Sequence, residues 1–257
     1  MRTLDDLGVK TLISVDALPP NVELAKQFGL RYVHLPHGYD GIPPSRAAEL
    51  AKAVRDLPGR VYIHCHHGLH RSPAAAAVAC IGAGTITPST GAALLELAGT
   101  HKRYLGLHAA VASARAYSPH DLDAMPASFP RRVEPSPIAA SMIEIERRFT
   151  LLKEHATAGW RTSAELGDAP AEYHALIIRE NYAELLRSSA TLPHSDGSRE
   201  SFRQAERIAA ELESNLRQTP RRSGAVDQAF GRLAASCSSC HQQHRDAPQD
   251  AGHLAPN

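Results

Sequence analysis

Residues 61–73, which read Val-Tyr-Ile-His-Cys-His-His-Gly-Leu-His-Arg-Ser-Pro, combine a thiol and a guanidinium at short spacing. Cys65 and Arg71 are separated by five residues. The β-branched and aromatic run before them predicts a buried strand, and the alanine-rich stretch that Ser72 or Pro73 can start predicts a helix. The reactive residue types therefore fall in a loop that joins a strand to a helix.

A loop that enters a helix N-terminus is a ready anion site, because its amides meet the positive end of the helix dipole. Gly68 supplies a loop position where the backbone can take a positive φ. Arg71 offers a planar fork for two phosphate oxygens. Beside these groups Cys65 should have a lowered pKa and be a thiolate at neutral pH. The pattern predicts nucleophilic displacement at phosphorus or a similar tetrahedral oxyanion.

Residues 64–72 resemble the H-C-x-x-G-x-x-R-[ST] signature of cysteine-dependent protein phosphatases, of the compact dual-specificity type. The resemblance implies an α/β domain with a central, mostly parallel sheet flanked by helices. It also implies a cysteinyl-phosphate on Cys65 and a Ser72 hydroxyl that stabilises the departing thiolate; this chemistry needs no cofactor. The phosphate-binding residues that it implies are His66, His67, Gly68, Leu69, His70 and Arg71.

The same resemblance implies a general acid in the loop after the preceding strand. Asp40 matches that position and is flanked by residues that break regular structure, which would allow loop closure. A turn-shaping role for Asp40 is the alternative. Asp16, after another predicted strand, is the second candidate for the acid.

Three other interpretations of the motif are open. In the first, Cys65 is simply a buried cysteine that a chance arginine follows. In the second, it belongs to a zinc site with the four histidines of residues 64–70. The third is a rhodanese-like sulfur transferase, although that loop normally lacks the Gly-x-x-Arg-Ser ending. We expect the histidines to point outward and to raise the positive potential around the phosphate.

A second chemical motif, Cys237-Ser-Ser-Cys240-His241, has the C-x-x-C-H pattern of covalent c-type haem attachment. Two thiols one turn apart can add to the two vinyl groups, and the adjacent histidine can ligate iron. Residues 138–246 resemble cytochrome c′ and its soluble relatives, in which this motif stands near the end of the last helix. The resemblance implies Cys237 and Cys240 as thioether residues, and His241 as the iron ligand.

Other roles for this motif remain open: a zinc site completed by His244, or two cysteines at a bare helix end. A thioredoxin-type motif would stand at a helix N-terminus after a strand, which this one does not. Covalent haem attachment normally follows export, whereas a catalytic thiol favours a reducing compartment. We therefore expect a periplasmic protein if haem is attached and a cytoplasmic one otherwise. An export signal would have been lost with a truncated N-terminus, since the chain begins without the family's usual first strand.

The pattern of the whole chain predicts two domains. Residues 1–116 are expected to form the α/β phosphatase-like domain, 117–137 a Pro-rich linker, and 138–246 a four-helix bundle, with 247–257 a disordered tail. In the first domain we predict strands at 9–15, 30–35 and 61–63, a helix over 21–28 capped by Asn21, and a helix over 45–57 capped by Ser45. The other helices predicted in that domain span residues 72–83, 88–97 and 104–114.

Composition limits the function classes. The formal charge of the 257-residue chain is +1, which gives no sign of nucleic-acid binding, and its longest apolar run is far too short to span a bilayer. Four cysteines are no disulfide framework in a chain of this size.

We expect a phosphorylated protein or a small phosphomonoester as substrate, with phosphotyrosine, phosphoserine, phosphoinositide and arsenate all open. The alternative is a haem redox or gas-sensing protein whose phosphatase-like module only binds phosphorylated partners. The oligomeric state is open, a dimer included.

Overall fold

In a computed structural model of the chain, residues 1–160, 169–188, 196–218 and 223–246 are described. The predicted tail, 247–257, lies outside them. The chain divides into two compact units, of which the first contains Met1–Glu134 together with Arg245 and Asp246, and the second Pro135–His244.

The first unit is built on a three-stranded parallel sheet of β1 (Val9–Ser14), β2 (Arg31–His34) and β3 (Arg60–His64), in the order β2-β1-β3. Ile13 of β1 stands opposite Val33 of β2 and Ile63 of β3. Seven helices accompany the strands: α1 (Arg2–Asp6), α2 (Val22–Gln27), α3 (Pro44–Asp56), α4 (Arg71–Gly82), α5 (Pro88–Leu97), α6 (Leu105–Ser113) and α7 (Pro119–Ala124).

Neighbouring strand residues point to opposite sides of the sheet, and apolar side chains are buried on both faces. Ile13 and Val33 join the larger core, with apolar residues of α3 and α4. Leu12 and Tyr32 join a smaller core on the other face, with Ala25 of α2. The predicted mixed α/β architecture with a parallel sheet is confirmed at this level, whereas a cysteine-phosphatase fold stays a prediction.

Helices α3 and α4 begin before their predicted first residues. Helix α3 begins at Pro44 with Pro43 as its N-cap, so Ser45 lies inside the helix and does not cap it. Proline suits the first helical position, since its ring holds φ near the helical value and its missing N–H has no helical partner there. Helix α4 begins at Arg71, before the predicted start at Ser72 or Pro73. The Asn21 cap of α2 is as predicted, with its side chain accepting a hydrogen bond from the amide of Leu24 at 3.0 Å.

The Pro-rich stretch predicted as a linker belongs largely to the first unit. It contains α7, and Lys52 of α3 donates a hydrogen bond to the carbonyl of Leu122 at 2.6 Å. Buried His34 of β2 makes two hydrogen bonds to the later part of this segment. Its amide donates to the carbonyl of Pro130 at 2.7 Å, and its Nδ1 accepts from the amide of Val133 at 2.9 Å. These bonds tie the segment to β2.

The second unit is helical throughout its described part, with α8 (Pro137–Thr157), α9 (Ala171–Arg187), α10 (Asp196–Arg217), α11 (Ser223–Cys240) and a π-helical turn over His241–Arg245 that continues past the unit's last residue. Each helix packs on the next along the chain, and Phe149 of α8 stacks on Phe230 of α11 at 5.0 Å. One apolar core serves all four helices, with Leu152, Leu212 and Leu233 fully buried. A cytochrome c′-type bundle stays a prediction. Among the described residues, no helix has both the length and the apolar character that crossing a bilayer requires.

Candidate functional site

The carboxyl ends of the three parallel strands meet at one edge of the sheet. The amide of Val15 bonds the carbonyl of His64 at 2.9 Å, and that of Leu35 bonds Ser14 at 2.8 Å, so the chain leaves all three strands at the same level. The residues that follow are Asp16 after β1, the loop 37–41 after β2, and Cys65 after β3. In an open parallel sheet this edge is where ligands usually bind.

The loop between β3 and α4 has the geometry that an anion cradle requires. It leaves the strand at His64 and enters the twelve-residue helix α4 at Arg71. Gly68 has a φ of +75°, the left-handed conformation that a side chain disfavours. Thr100 donates a hydrogen bond from its hydroxyl to the carbonyl of Leu69 at 2.7 Å, which fixes the loop from outside.

Cys65 is 9% exposed, and its Sγ lies 3.3 Å from the hydroxyl of Ser72. Burial alone would raise the pKa of this thiol. Hydrogen bonds from the Ser72 side chain and from the amides of Ser72 and Gly68, with the charge of Arg71, outweigh burial and lower the pKa below its ordinary value. The thiolate is therefore stabilised by the groups that the sequence places around it.

Arg71 is buried and is held from two directions. Its Nη2 lies 3.3 Å from Oδ1 of Asp16, and its Cζ lies 4.6 Å from the ring centroid of Tyr39. Its Nε is buried and has no hydrogen-bond partner among the residues that the structure describes. A buried donor of this kind is suited to an oxyanion at the loop.

The histidines of the motif lie in different environments. His66 and His67 are exposed, with their rings edge-to-face at 4.5 Å. His70 is half-buried against Tyr104, at 4.5 Å between centroids, and its Nδ1 accepts from the amide of His101 at 3.4 Å. His64 lies 2.5 Å from the Tyr32 hydroxyl through its Nε2. In the described part of the chain, no three or more His, Cys, Asp or Glu side chains form a group that could hold a metal ion.

The two candidate acids occupy different places. Asp16 forms an ion pair with the Arg71 guanidinium. Asp40 is half-buried in the loop after β2, and its carboxylate lies next to Gly38 of the same loop. The structure brings the Asp40 loop to the site through Tyr39, whose ring lies against Arg71.

Sequence reasoning missed three residues that shape the site: His37, Tyr39 and Tyr104. His37 is the buried first residue of the loop 37–41, and its Nδ1 is 2.9 Å from the carbonyl of Gly38. Burial lowers its pKa to about 4, the Gly38 bond opposes this, and the charge of Arg71 adds to it. The position of His37 and Tyr39 beside Asp40 was the available signal. Nothing local marks Tyr104.

The C-x-x-C-H motif lies where α11 meets the π-helical turn. Cys237 and Cys240 are one turn apart and half-buried, and Cys240 packs against the apolar core of the second unit. The hydroxyl of Tyr182 lies 3.8 Å from Sγ of Cys237, and burial raises the pKa of that thiol. His241, also half-buried, opens the π-helical turn. Two sulfurs, an imidazole and a neighbouring apolar core fit covalent haem.

The zinc alternative for this motif depends on His244 as a further ligand. His244 is exposed, and its Nε2 lies 3.4 Å from the hydroxyl of Ser201. The cysteines, His241 and His244 do not form a metal-binding group within the described ranges. Helix α8 contributes three apolar side chains to the core that Cys240 also contacts: Ile145 is buried there, and Ile138 and Met142 are partly buried.

Comparison of the chain with protein-family models, with curated proteins and with solved structures finds no match.

Proposed function

We propose that the first unit is a cysteine-dependent phosphatase that hydrolyses phosphomonoesters through a cysteinyl-phosphate. The observation that carries the proposal is the environment of Cys65: a thiol of lowered pKa, bonded to Ser72 at the N-terminus of α4, beside an Arg71 whose buried Nε is available. An activated thiolate and an oxyanion site are the two requirements of this chemistry.

In the first step, the Cys65 thiolate attacks phosphorus while the bond to the leaving oxygen breaks. Asp40 gives its carboxyl proton to that oxygen, which departs as an alcohol or a phenol. The amides of residues 66–71 and the Arg71 fork hold the three remaining phosphate oxygens. In the second step, water attacks phosphorus and gives a proton to the Asp40 carboxylate. The S–P bond breaks, and the Cys65 thiolate leaves with the Ser72 hydroxyl donating to it.

The substrate is a phosphorylated protein or a small phosphomonoester. Tyr39 and Tyr104, with ring centroids 4.9 Å apart, and His70 give the site an aromatic side. His66 and His67 of the same loop are exposed.

The decisive test is the Cys65→Ser variant, assayed on p-nitrophenyl phosphate and by vanadate binding. We expect turnover to disappear while vanadate still binds, because only the nucleophile is lost. Cys80→Ser is the matched control: Cys80 is a half-buried cysteine of α4 outside the loop, and its loss should leave turnover unchanged. Hydrolysis that survives in Cys65→Ser contradicts the mechanism. Vanadate binding by a wild type that turns nothing over would instead favour a module that only binds phosphorylated partners.

We further propose that the second unit carries covalent haem in a cytochrome c′-type four-helix bundle. Cys237 and Cys240 would be the thioether residues and His241 the iron ligand, supported by their spacing and by the apolar core beside Cys240. When bound, the haem would supply a redox-active iron able to bind diatomic gases. Tyr182 would stay beside the Cys237 sulfur, and the core residues would keep water from the macrocycle.

A further inference from the structure

The loop that carries Asp40 rests on the first turn of α6. The Tyr39 ring lies against Tyr104, the buried N-cap residue of that helix. One residue further on, the backbone of Asp40 lies directly against Gly106, the second residue of α6. The loop is thus held by α6 as well as by β2, from which it emerges.

Only glycine at position 106 permits this approach. A Cβ atom there would overlap the carbonyl group of Asp40 and lie 2.8 Å from the amide nitrogen of Gly41. These are backbone atoms, which cannot rotate away as a side-chain tip can. A larger residue at 106 must therefore displace the loop, the helix or both.

We propose that Gly106 is a positioning residue for the general acid, setting the depth at which the Asp40 loop seats. This inference rests on the proposed phosphatase function and on Asp40 as its proton donor. In that role the Asp40 carboxyl proton passes to the leaving oxygen as the P–O bond breaks, a transfer that requires hydrogen-bond reach. Gly106 touches no reacting atom in this scheme. It acts through the backbone of Asp40.

The test is Gly106→Ala, assayed on two substrates that differ in their need for the acid. The leaving group of p-nitrophenyl phosphate departs well without a proton, whereas that of phenyl phosphate needs one. A misplacement of about 1 Å can lower a rate by ~10²-fold. We expect kcat for phenyl phosphate to fall by that order and kcat for p-nitrophenyl phosphate to fall far less. Vanadate inhibition should be unchanged, because Gly106 is not in the phosphate loop.

Gly91→Ala on α5 is the matched control. Gly91 is also a buried helical glycine, but the nearest atoms to a Cβ there are side-chain methyl groups: Ile81 Cδ1 and Val111 Cγ1 at 2.9 Å, and Ala77 Cβ at 3.2 Å. This variant perturbs core packing without touching the acid loop. Its ratio of the two kcat values should equal that of the wild type.

The double variant Gly106→Ala/Asp40→Asn separates positioning from general damage. Once the acid is gone, the glycine change should lower kcat for phenyl phosphate no further, since both changes remove the same function. Additive losses, or equal losses on both substrates, would overturn the proposal while leaving the phosphatase function intact. A wild type inactive on both substrates would instead refute the proposed function itself.

If Gly106→Ala does not fold, Gly41→Ala probes the same contact from the loop side. A Cβ at Gly41 would lie 3.6 Å from the carbonyl oxygen of Gly106, an ordinary contact, while its φ of +150° strains the loop backbone. The substrate ratio should change in the same direction. An unchanged ratio in Gly41→Ala would then overturn the proposal.

Discussion

Arg71 forms an ion pair with Asp16, which follows β1, and this pairing depends on the strand order. Because β1 lies between β2 and β3, Asp16 emerges between the loop of Asp40 and the loop of Cys65. The motif alone predicted the thiol, the arginine and the serine, since these are neighbours in sequence. It did not predict that Asp16 contacts Arg71, because that contact depends on which strands pair.

Substitutions of Asp16 and Asp40 should give different kinetic signatures. Asp16→Asn removes the negative charge of the ion pair that holds Arg71, and two opposite charges about 4 Å apart near a protein surface attract by roughly 4 kcal/mol. We expect the inhibition constant of vanadate to rise by about tenfold or more, and by the same factor whichever substrate is assayed. Asp40→Asn should lower kcat by ~10²–10⁴-fold, the usual contribution of a general acid. That loss should shrink for p-nitrophenyl phosphate.

Steady-state kinetics of both variants on phenyl and p-nitrophenyl phosphate make the comparison, and Asp123→Asn, an exposed carboxylate of α7, is the control. A substrate-dependent loss in Asp16→Asn with a silent Asp40→Asn would reverse the assignment. Asp16 would then be the acid.

At the scale of the elements, local patterns predicted most of what the structure shows. Helix α5 begins and ends at the predicted residues, and the parallel sheet follows from strands that alternate with helices. Non-local contacts were out of reach: Gly106 is an ordinary helical glycine in the sequence, and only tertiary packing sets Asp40 against it. The same holds for His34, whose bond to Val133 draws a proline-rich stretch into the first unit.

The buried histidines around β2 should make the first unit sensitive to acid. Burial lowers the pKa of His34 and lowers that of His37 to about 4, against an ordinary value of 6.5. Below pH 6.5 these histidines bind protons in the unfolded chain but not in the folded chain, so the free energy of unfolding falls as the pH falls. The fall ends when folded His37 is itself protonated near pH 4. For His37 alone the loss is about 3 kcal/mol at most, at ~1.4 kcal/mol per pKa unit.

Thermal unfolding of the full chain between pH 7 and pH 4 measures this effect. His37→Asn should flatten the dependence, because the replaced side chain does not titrate. The control His120→Asn, at an exposed histidine of α7, should leave the slope unchanged. Equal slopes in the wild type and His37→Asn would contradict the assignment of the acid sensitivity to this buried imidazole.

The two chemistries proposed for the molecule favour different compartments. A catalytic thiol favours reducing conditions, whereas covalent haem attachment follows export. All four cysteines are free in the structure, and Cys65 is almost entirely buried, which limits its access to oxidants. The two units also have separate cores, so a variant in one unit can serve as the control for the activity proposed for the other.

The last prediction concerns the haem. When the protein is matured in a periplasm, we expect haem to remain bound through denaturing electrophoresis, because thioether bonds to Cys237 and Cys240 survive unfolding. Haem staining of the wild type against Cys237→Ala/Cys240→Ala is the measurement, with Cys65→Ser/Cys80→Ser as the control that removes two thiols from the other unit. If the resemblance to cytochrome c′ holds, His241 would hold the iron, and an apolar or weakly ligating side chain of α8 would leave the iron able to bind a small gas molecule. Met142, Ile138 and Ile145 are the candidates, and the absorption spectrum should then change on adding carbon monoxide. No staining of the wild type, or equal staining of both double variants, contradicts covalent attachment and leaves Cys237 and Cys240 as the cysteines of a helix end.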